Sequence, residues 1–146
     1  MLIDVSHISE TSFWDVLEVS ERPIIASHSN CKAICDHVRN LTSEQIKHIA
    51  QNQGSVGVTF VESFIEQDKS RQTLDRLIDH IDYITDLVGI EHVGIGSDFD
   101  GGGDLLADAT EYPRITEKLI QRGYSDADIG KILGENHLRV FQSACG

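Results

Sequence analysis

At 146 residues the chain has the length of one domain, and 40% apolar residues suffice for an ordinary core. Its 24 acidic against 12 basic residues give a formal net charge of −12, which would repel a phosphate backbone, so no nucleic-acid partner is expected. No run of about 18 apolar residues and no basic-then-apolar start occurs, so neither a membrane partner nor a signal peptide is expected.

Taken in order, the chain alternates strand and helix. Residues 2–6, LIDVS, read as a short buried strand, and Thr11 to Ser20 as a helix with Phe13, Val16 and Leu17 on one side. PIIAS (23–27) is a second strand, with Pro23 tolerated at its start. Thr42 opens a helix whose Gln45 completes a capping box, and Gly54 closes it. SVGVTF (55–60) is a third strand. From Thr73 to Val88, Leu74, Leu77, Ile78, Ile81, Ile84 and Val88 keep helical spacing up to Gly89. HVGIG (92–96) is a fourth strand, and helical segments follow near 113–122, 126–134 and 135–143.

Four such units predict an α/β protein with a parallel sheet and helices outside it. No composition break divides the chain, so 1–146 reads as a single domain. Four units do not close an eight-stranded barrel, which takes about 250 residues. No glycine-rich turn of the dinucleotide type follows the first strand. The expectation is half of a larger sheet, or a small open one.

In parallel α/β folds the chemistry sits past the carboxyl ends of the strands. His7 follows the first strand, His28 the second and Asp98 the fourth, so three candidate metal-site residues hold equivalent positions in separate units. Imidazole and carboxylate are ligand types of zinc, and a carboxylate free of the metal can serve as general base. SHIS and SHSN surround the histidines with short polar neighbours suited to holding a ring nitrogen. Arg39, eleven residues past His28, either clamps a substrate carboxylate or pairs at the surface with Asp36 or Glu44; spacing alone leaves both open. His80 and Asp82 lie inside a helix and read as solvated surface. His48 and His137 are likewise helical, His92 opens a strand at its amino end, and His37 lies in the loop after His28. Cys31, Cys35 and Cys145 make an odd count with no second pair, which favours free thiols in a reducing compartment, hence the cytoplasm, over a structural zinc finger.

DVSHIS, PIIASHSN, the RN at 39–40 and GIGSDFDG resemble the C-terminal half of the membrane (renal-type) dipeptidases, zinc peptidases with an amidohydrolase-like (β/α)8 barrel. The resemblance runs to the closing ENHLRVF (135–141). It implies that His7 and His28 bind one zinc of a binuclear pair, that Arg39 binds the substrate carboxylate and that Asp98 is the catalytic base or proton shuttle. Asp100 is then expected to order the loop or orient Asp98. One departure is large: the family's H-x-D pair for the other zinc and its bridging glutamate have no counterpart here, Glu62 being the only nearby acid. The chain is thus expected to begin at the family's fifth strand and to hold at most one partial zinc site.

The function implied is zinc-dependent hydrolysis of dipeptides by metal-activated water, with this chain supplying half of the site. Alternatives are a non-catalytic half-barrel or binding module, and another amidohydrolase-type metal hydrolase. Two strand edges and an uncovered apolar inner face predict that the chain is not a stable monomer and joins either the missing N-terminal half or a second copy of itself.

Overall fold

Small hydroxylated side chains start most of the helices, because each supplies an acceptor for a backbone N–H that the first turn leaves unpaired. The computed structural model describes residues 1–102 and 105–146. Gly103 and Asp104, the end of the glycine-rich stretch read from sequence, lie outside the described residues. Ser9 accepts from the N–H of Ser12 at the head of α1 (Glu10–Val19). Thr42 and Gln45 close the expected capping box on α2 (Ser43–Gln51). A short α3 (Glu62–Ile65) is followed by α4 (Leu74–Val88), capped by Thr73 and ended by Gly89 at φ 97°. α5 (Tyr112–Arg122) begins with a proline in its first turn and stops at Gly123, φ 92°. Ser125 caps α6 (Asp126–Gly130), which passes through a π-helical turn at Lys131–Glu135 into α7 (Asn136–Cys145).

The sheet is parallel and has three strands rather than the expected four: β1 (Ile25–Ala26), β2 (Ser55–Thr59) and β3 (Val93–Ser97), in that order. Residues 2–6 reach only a single bridge, Asp4 to Ile25, although Val5 N–H donates to Ile25 C=O at 2.8 Å and Ile25 N–H to Ile3 C=O at 3.0 Å. The side chain of Asp4 is the cause. It accepts from the N–H of Ser6 at 2.9 Å and of Ser27 at 3.0 Å, the latter the donor that a longer ladder would send to Val5. That competition truncates β1 as well.

Val56, Val58 and Val93 are fully buried with Ile46 and Ile49 of α2, Leu77, Ile78, Ile81 and Ile84 of α4, and Ile115 and Leu119 of α5. Together these residues form the core between sheet and helices. The other face differs from expectation. Instead of an uncovered apolar surface it presents Ser55, Gly57, Thr59, Gly94 and Gly96, and β2 is buried along its whole length. His137 of α7 packs against Gly94, where a Cβ would come within 2.6 Å of its Nε2. The backbone at Ser27 crowds Gly57 and Gly96, where added Cβ atoms would lie 2.2 and 2.1 Å from its carbonyl oxygen. Those two glycines let the segment carrying His28 lie against the sheet.

His80 also departs from the sequence reading. It is fully buried, not solvated. Its Nδ1 accepts from the N–H of Cys31 at 3.0 Å, which leaves the ring proton on Nε2 for the carbonyl of Ile65 at 2.9 Å. Asp82, two residues on and on another face of the helix, does sit near the surface, paired with Arg122 and the hydroxyl of Tyr124.

Candidate functional site

His7, His28 and Asp98 come together past the carboxyl ends of the strands. His7 Nε2 lies 2.7 Å from His28 Nε2, and Asp98 Oδ2 lies 3.9 Å from the same His28 nitrogen. Two of the three stand on left-handed backbone: His7 has φ 72° and Asp98 φ 66°, with Ser97 beside it at φ 41°. Non-glycine residues rarely hold such angles, and clustered outliers mark places where the fold aims a side chain at some local cost.

Each side chain has a local reason for its position. Asp98 directly follows β3, and its carbonyl accepts from Gly101 N–H at 2.9 Å. Its carboxylate rests on Gly101, where a Cβ would be only 2.4 Å from Oδ2. Phe99 anchors the turn, edge-on to Phe60 and stacked with Tyr112. Asp100, expected to order this loop, is exposed and makes no hydrogen bond to Asp98 among the described residues. The glycine N–H and the phenylalanine ring do that work. Glu62 opens α3, and its side chain makes no hydrogen bond or ion pair with the histidine pair among the described residues.

His28 is held from behind. Ser27 Oγ lies 2.7 Å from its Nδ1, and Ser6 Oγ accepts from its backbone N–H at 3.1 Å. Partial desolvation alone would raise the pKa of Asp4, but hydrogen bonds from Ser27 and Ser6 outweigh it and hold the carboxyl below its ordinary value. Desolvation, then the positive charge of Arg39 and then His28, hold the pKa of His7 below the ordinary imidazole value, partly offset by Asp98 and Asp4. Ser27 belongs to the SHSN segment whose short polar neighbours are expected to hold a ring nitrogen, and it does so for His28, whereas Asp4 is not expected from sequence. The signal for Asp4 was an acid inside an apolar strand three residues before His7.

Arg39 sits in the excursion between β1 and α2, beside a cavity of about 440 Å³ also lined by His7, Lys32, Asn40 and Gln45. Surface pairing does not hold it. Asp36 pairs with Lys32 at 3.6 Å, and Arg39 has no ion-pair partner among the described residues. Its guanidinium carbon lies 5.4 Å from the centroid of the Phe64 ring, on which His37 also stacks. Its Nη2 is buried and lacks a hydrogen-bond partner among the described residues. An arginine that lines a cavity and has no ion-pair partner among the described residues is suited to a carboxylate.

The excursion is stiffened by two buried asparagines and His80. Asn30 exchanges hydrogen bonds with both backbone groups of Thr59, donating at 3.2 Å and accepting at 3.1 Å. Asn40 donates to Cys35 and Phe64 carbonyls at 2.9 and 2.7 Å and accepts from Asn30 N–H at 3.2 Å. Cys31, Cys35 and Cys145 are free thiols, the first two buried. Among the described residues no group of three or more His, Cys, Asp or Glu side chains is placed to hold a metal ion.

Imidazoles, a carboxylate and a guanidinium gathered at the strand ends of a parallel sheet define an α/β protein with a strand-end site. The chain belongs to the membrane dipeptidase family, peptidase family M19, which matches residues 1–145. It is 35% identical over 145 residues to dipeptidase tcpJ of Claviceps purpurea (strain 20.1), an alignment covering 97% of this chain and 34% of that protein. Its fold matches a metallo peptidase from Rhodobacter sphaeroides, solved with a phosphinate mimic of the dipeptide L-Ala-D-Ala, with a TM-score of 0.89 and 34% identity over 97% of this chain and 42% of the other. The probable dipeptidase PvdM from Pseudomonas aeruginosa matches with a TM-score of 0.91 and 30% identity, over 98% and 50%. The chain thus spans half or less of the length of these relatives. No helix among the described residues is long and apolar enough to cross a membrane.

Proposed function

We propose that the chain forms one half of a (β/α)8 barrel and supplies one half of the active site of a zinc-dependent dipeptidase working in the cytoplasm. The observation that carries this reading is the convergence of the two Nε2 atoms, 2.7 Å apart, with Asp98 on one side and the unpartnered Arg39 guanidinium in the adjoining cavity. The two imidazoles meet through their Nε2 atoms at hydrogen-bond distance, and a small parting of the rings would let both nitrogens hold one zinc ion, which takes four ligands as a rule, so the remaining ligands come from beyond these residues. The missing half, or a second copy of the chain, supplies them; the outer edge of β3 and the edge at residues 3–5 carry neither lysine nor proline to deter such pairing. When bound, zinc supplies Lewis acidity toward a peptide carbonyl and acidifies water.

This chain's residues divide the remaining work. His7 and His28 hold the metal. Asp98 takes the proton of the attacking water and returns it to the leaving amine. Arg39 fixes the free carboxylate of the dipeptide by paired hydrogen bonds, placing the scissile bond over the histidines. The free buried thiols of Cys31 and Cys35 suit a reducing compartment.

The test is an assay of dipeptide hydrolysis by the purified chain, alone and after mixing with a polypeptide carrying the other half. Negligible turnover is expected alone, and chelator-sensitive turnover in the mixture. Chelator-sensitive turnover by the chain alone would overturn the half-site reading, and none in either sample would leave a binding module. In the active mixture, Arg39→Ala is expected to raise KM for dipeptides about 10- to 100-fold, the range of a lost charge-assisted hydrogen bond. Carboxyl-amidated analogues, already poor, should change little; an equal loss for both would overturn the clamp.

A further inference from the structure

A directed hydrogen-bond chain runs beneath the histidine pair. Asp4 Oδ2 accepts from the Ser27 hydroxyl at 2.5 Å, while Oδ1 is occupied by the N–H groups of Ser6 and Ser27. A hydroxyl has one hydrogen, and an ionised carboxylate only accepts. Ser6 Oγ, the other acceptor near Ser27 Oγ, is 3.5 Å away and does not compete with the charged oxygen. With its hydrogen committed to Asp4, Ser27 Oγ faces His28 Nδ1 at 2.7 Å as an acceptor, so Nδ1 carries the ring proton. His28 Nε2 is left without a proton and accepts, at 2.7 Å, from His7 Nε2–H, a contact that a metal ion would replace.

We propose that Asp4 and Ser27 are positioning residues: through the Ser27 hydroxyl, Asp4 locks His28 into the Nδ1–H tautomer that leaves Nε2 free for a metal. The purpose assigned to this lock rests on the zinc reading above; its direction rests on the hydrogen-bond geometry. Asp4 never touches the metal or the substrate. It acts through a serine, an indirect form of the carboxylate–histidine pairing that orients metal-bound imidazoles.

Asp4→Asn reverses the chain with almost no change of shape. The two backbone N–H groups hold the amide oxygen at the Oδ1 position, which puts the amide nitrogen, a donor, against Ser27 Oγ. The hydroxyl hydrogen then turns to His28 Nδ1, and the ring proton moves to Nε2. Long-range ¹H–¹⁵N correlation spectra of the ¹⁵N-labelled chain at neutral pH read this directly. The wild type and Ser27→Thr are expected to show a protonated Nδ1 and a bare Nε2 at His28, and Asp4→Asn the swapped pair. Ser27→Ala removes the acceptor and is expected to give a mixture of tautomers. Titration with zinc alone, followed on the two imidazoles, should show affinity about 10- to 100-fold lower in Asp4→Asn and Ser27→Ala than in the wild type. An unchanged Nδ1–H tautomer in both variants overturns the lock while leaving wild-type zinc binding intact. A swap in Asp4→Asn with no zinc effect on either wild-type imidazole would instead sustain the lock and overturn the zinc reading.

Discussion

In the two-part dipeptidase proposed above, Asp98→Asn is expected to lower kcat by about 10²- to 10⁴-fold and to leave KM within a few-fold of the wild type, the range for losing a positioned acid–base group. The substitution keeps shape and removes only the ability to take a proton. Asparagine, like aspartate, tolerates the left-handed backbone found at this position, φ 66° and ψ 44°, so the turn after β3 keeps its form. The contact with Gly101 and the stacking of Phe99 on Tyr112 do not depend on the charge. Steady-state kinetics on dipeptides, beside a melting curve showing unchanged stability, provide the check. A loss of kcat/KM carried entirely by KM would make Asp98 a binding group instead of a proton carrier.

His80→Leu is expected to destabilise the chain by roughly 2–5 kcal/mol, because it strands the buried Cys31 N–H and Ile65 C=O, each costing about 1–3 kcal/mol. The histidine it replaces also ties stability to pH. Burial drives the His80 pKa down to about 4 from 6.5; Arg76 pushes the same way, and the hydrogen bond to Ile65, Asp79 and Glu66 only partly oppose it. In the unfolded chain the ring takes a proton near pH 6.5, whereas the folded chain resists until about pH 4. The unfolded state therefore binds more protons in that window, and His80 withdraws stability as the pH falls through it, up to about 3 kcal/mol. Urea titrations at pH 7, 5.5 and 4.5 should show the wild type losing its advantage over His80→Leu as acid is added. A constant difference between the two proteins across that range would show that His80 is not held neutral.

Where the sequence was read correctly, the deciding chemistry was local. Thr42 with Gln45 acts within four residues, and the helices opened by Thr42 and Thr73 start within a residue of expectation, whereas α3 was not expected and α6 ends four residues early, at Gly130, where the chain passes into a π-helical turn. His7, His28 and Asp98 could be singled out because a parallel sheet sends its strand ends to one side, and the structure does gather them. Features set by register were hidden. The strand at 2–6 shrinks to one bridge because Asp4 meets Ser27, a pairing that depends on how two segments align. The inner face is lined by Gly57, Gly94 and Gly96, whose role is to admit Ser27 and His137 from distant parts of the chain. His80 is a different kind of miss. Leu77, His80, Ile81 and Ile84 follow the i, i+3, i+4, i+7 stripe of a buried helix face, so its burial was legible from spacing, but its polarity argued for solvent until Cys31 and Ile65 supplied partners.

If Arg39 clamps a carboxylate as proposed above, the asparagine pair that braces the excursion carrying it bears on the thermodynamics of that capture. Asn30 binds both backbone groups of Thr59, and Asn40 reaches from Cys35 to Phe64, so the segment is anchored to β2 and α3 before any ligand arrives. A flexible loop of this length would have to surrender backbone freedom on closing over a carboxylate, at about 1–2 kcal/mol per residue fixed. Here that entropy is already lost during folding. What remains to be immobilised on association is the arginine side chain itself, about 0.5–1.5 kcal/mol for one rotamer-rich group, and even that is reduced by its seat on Phe64. The encounter is therefore closer to docking on a rigid surface than to folding around a guest, with the association rate limited by access to the cavity and not by loop ordering.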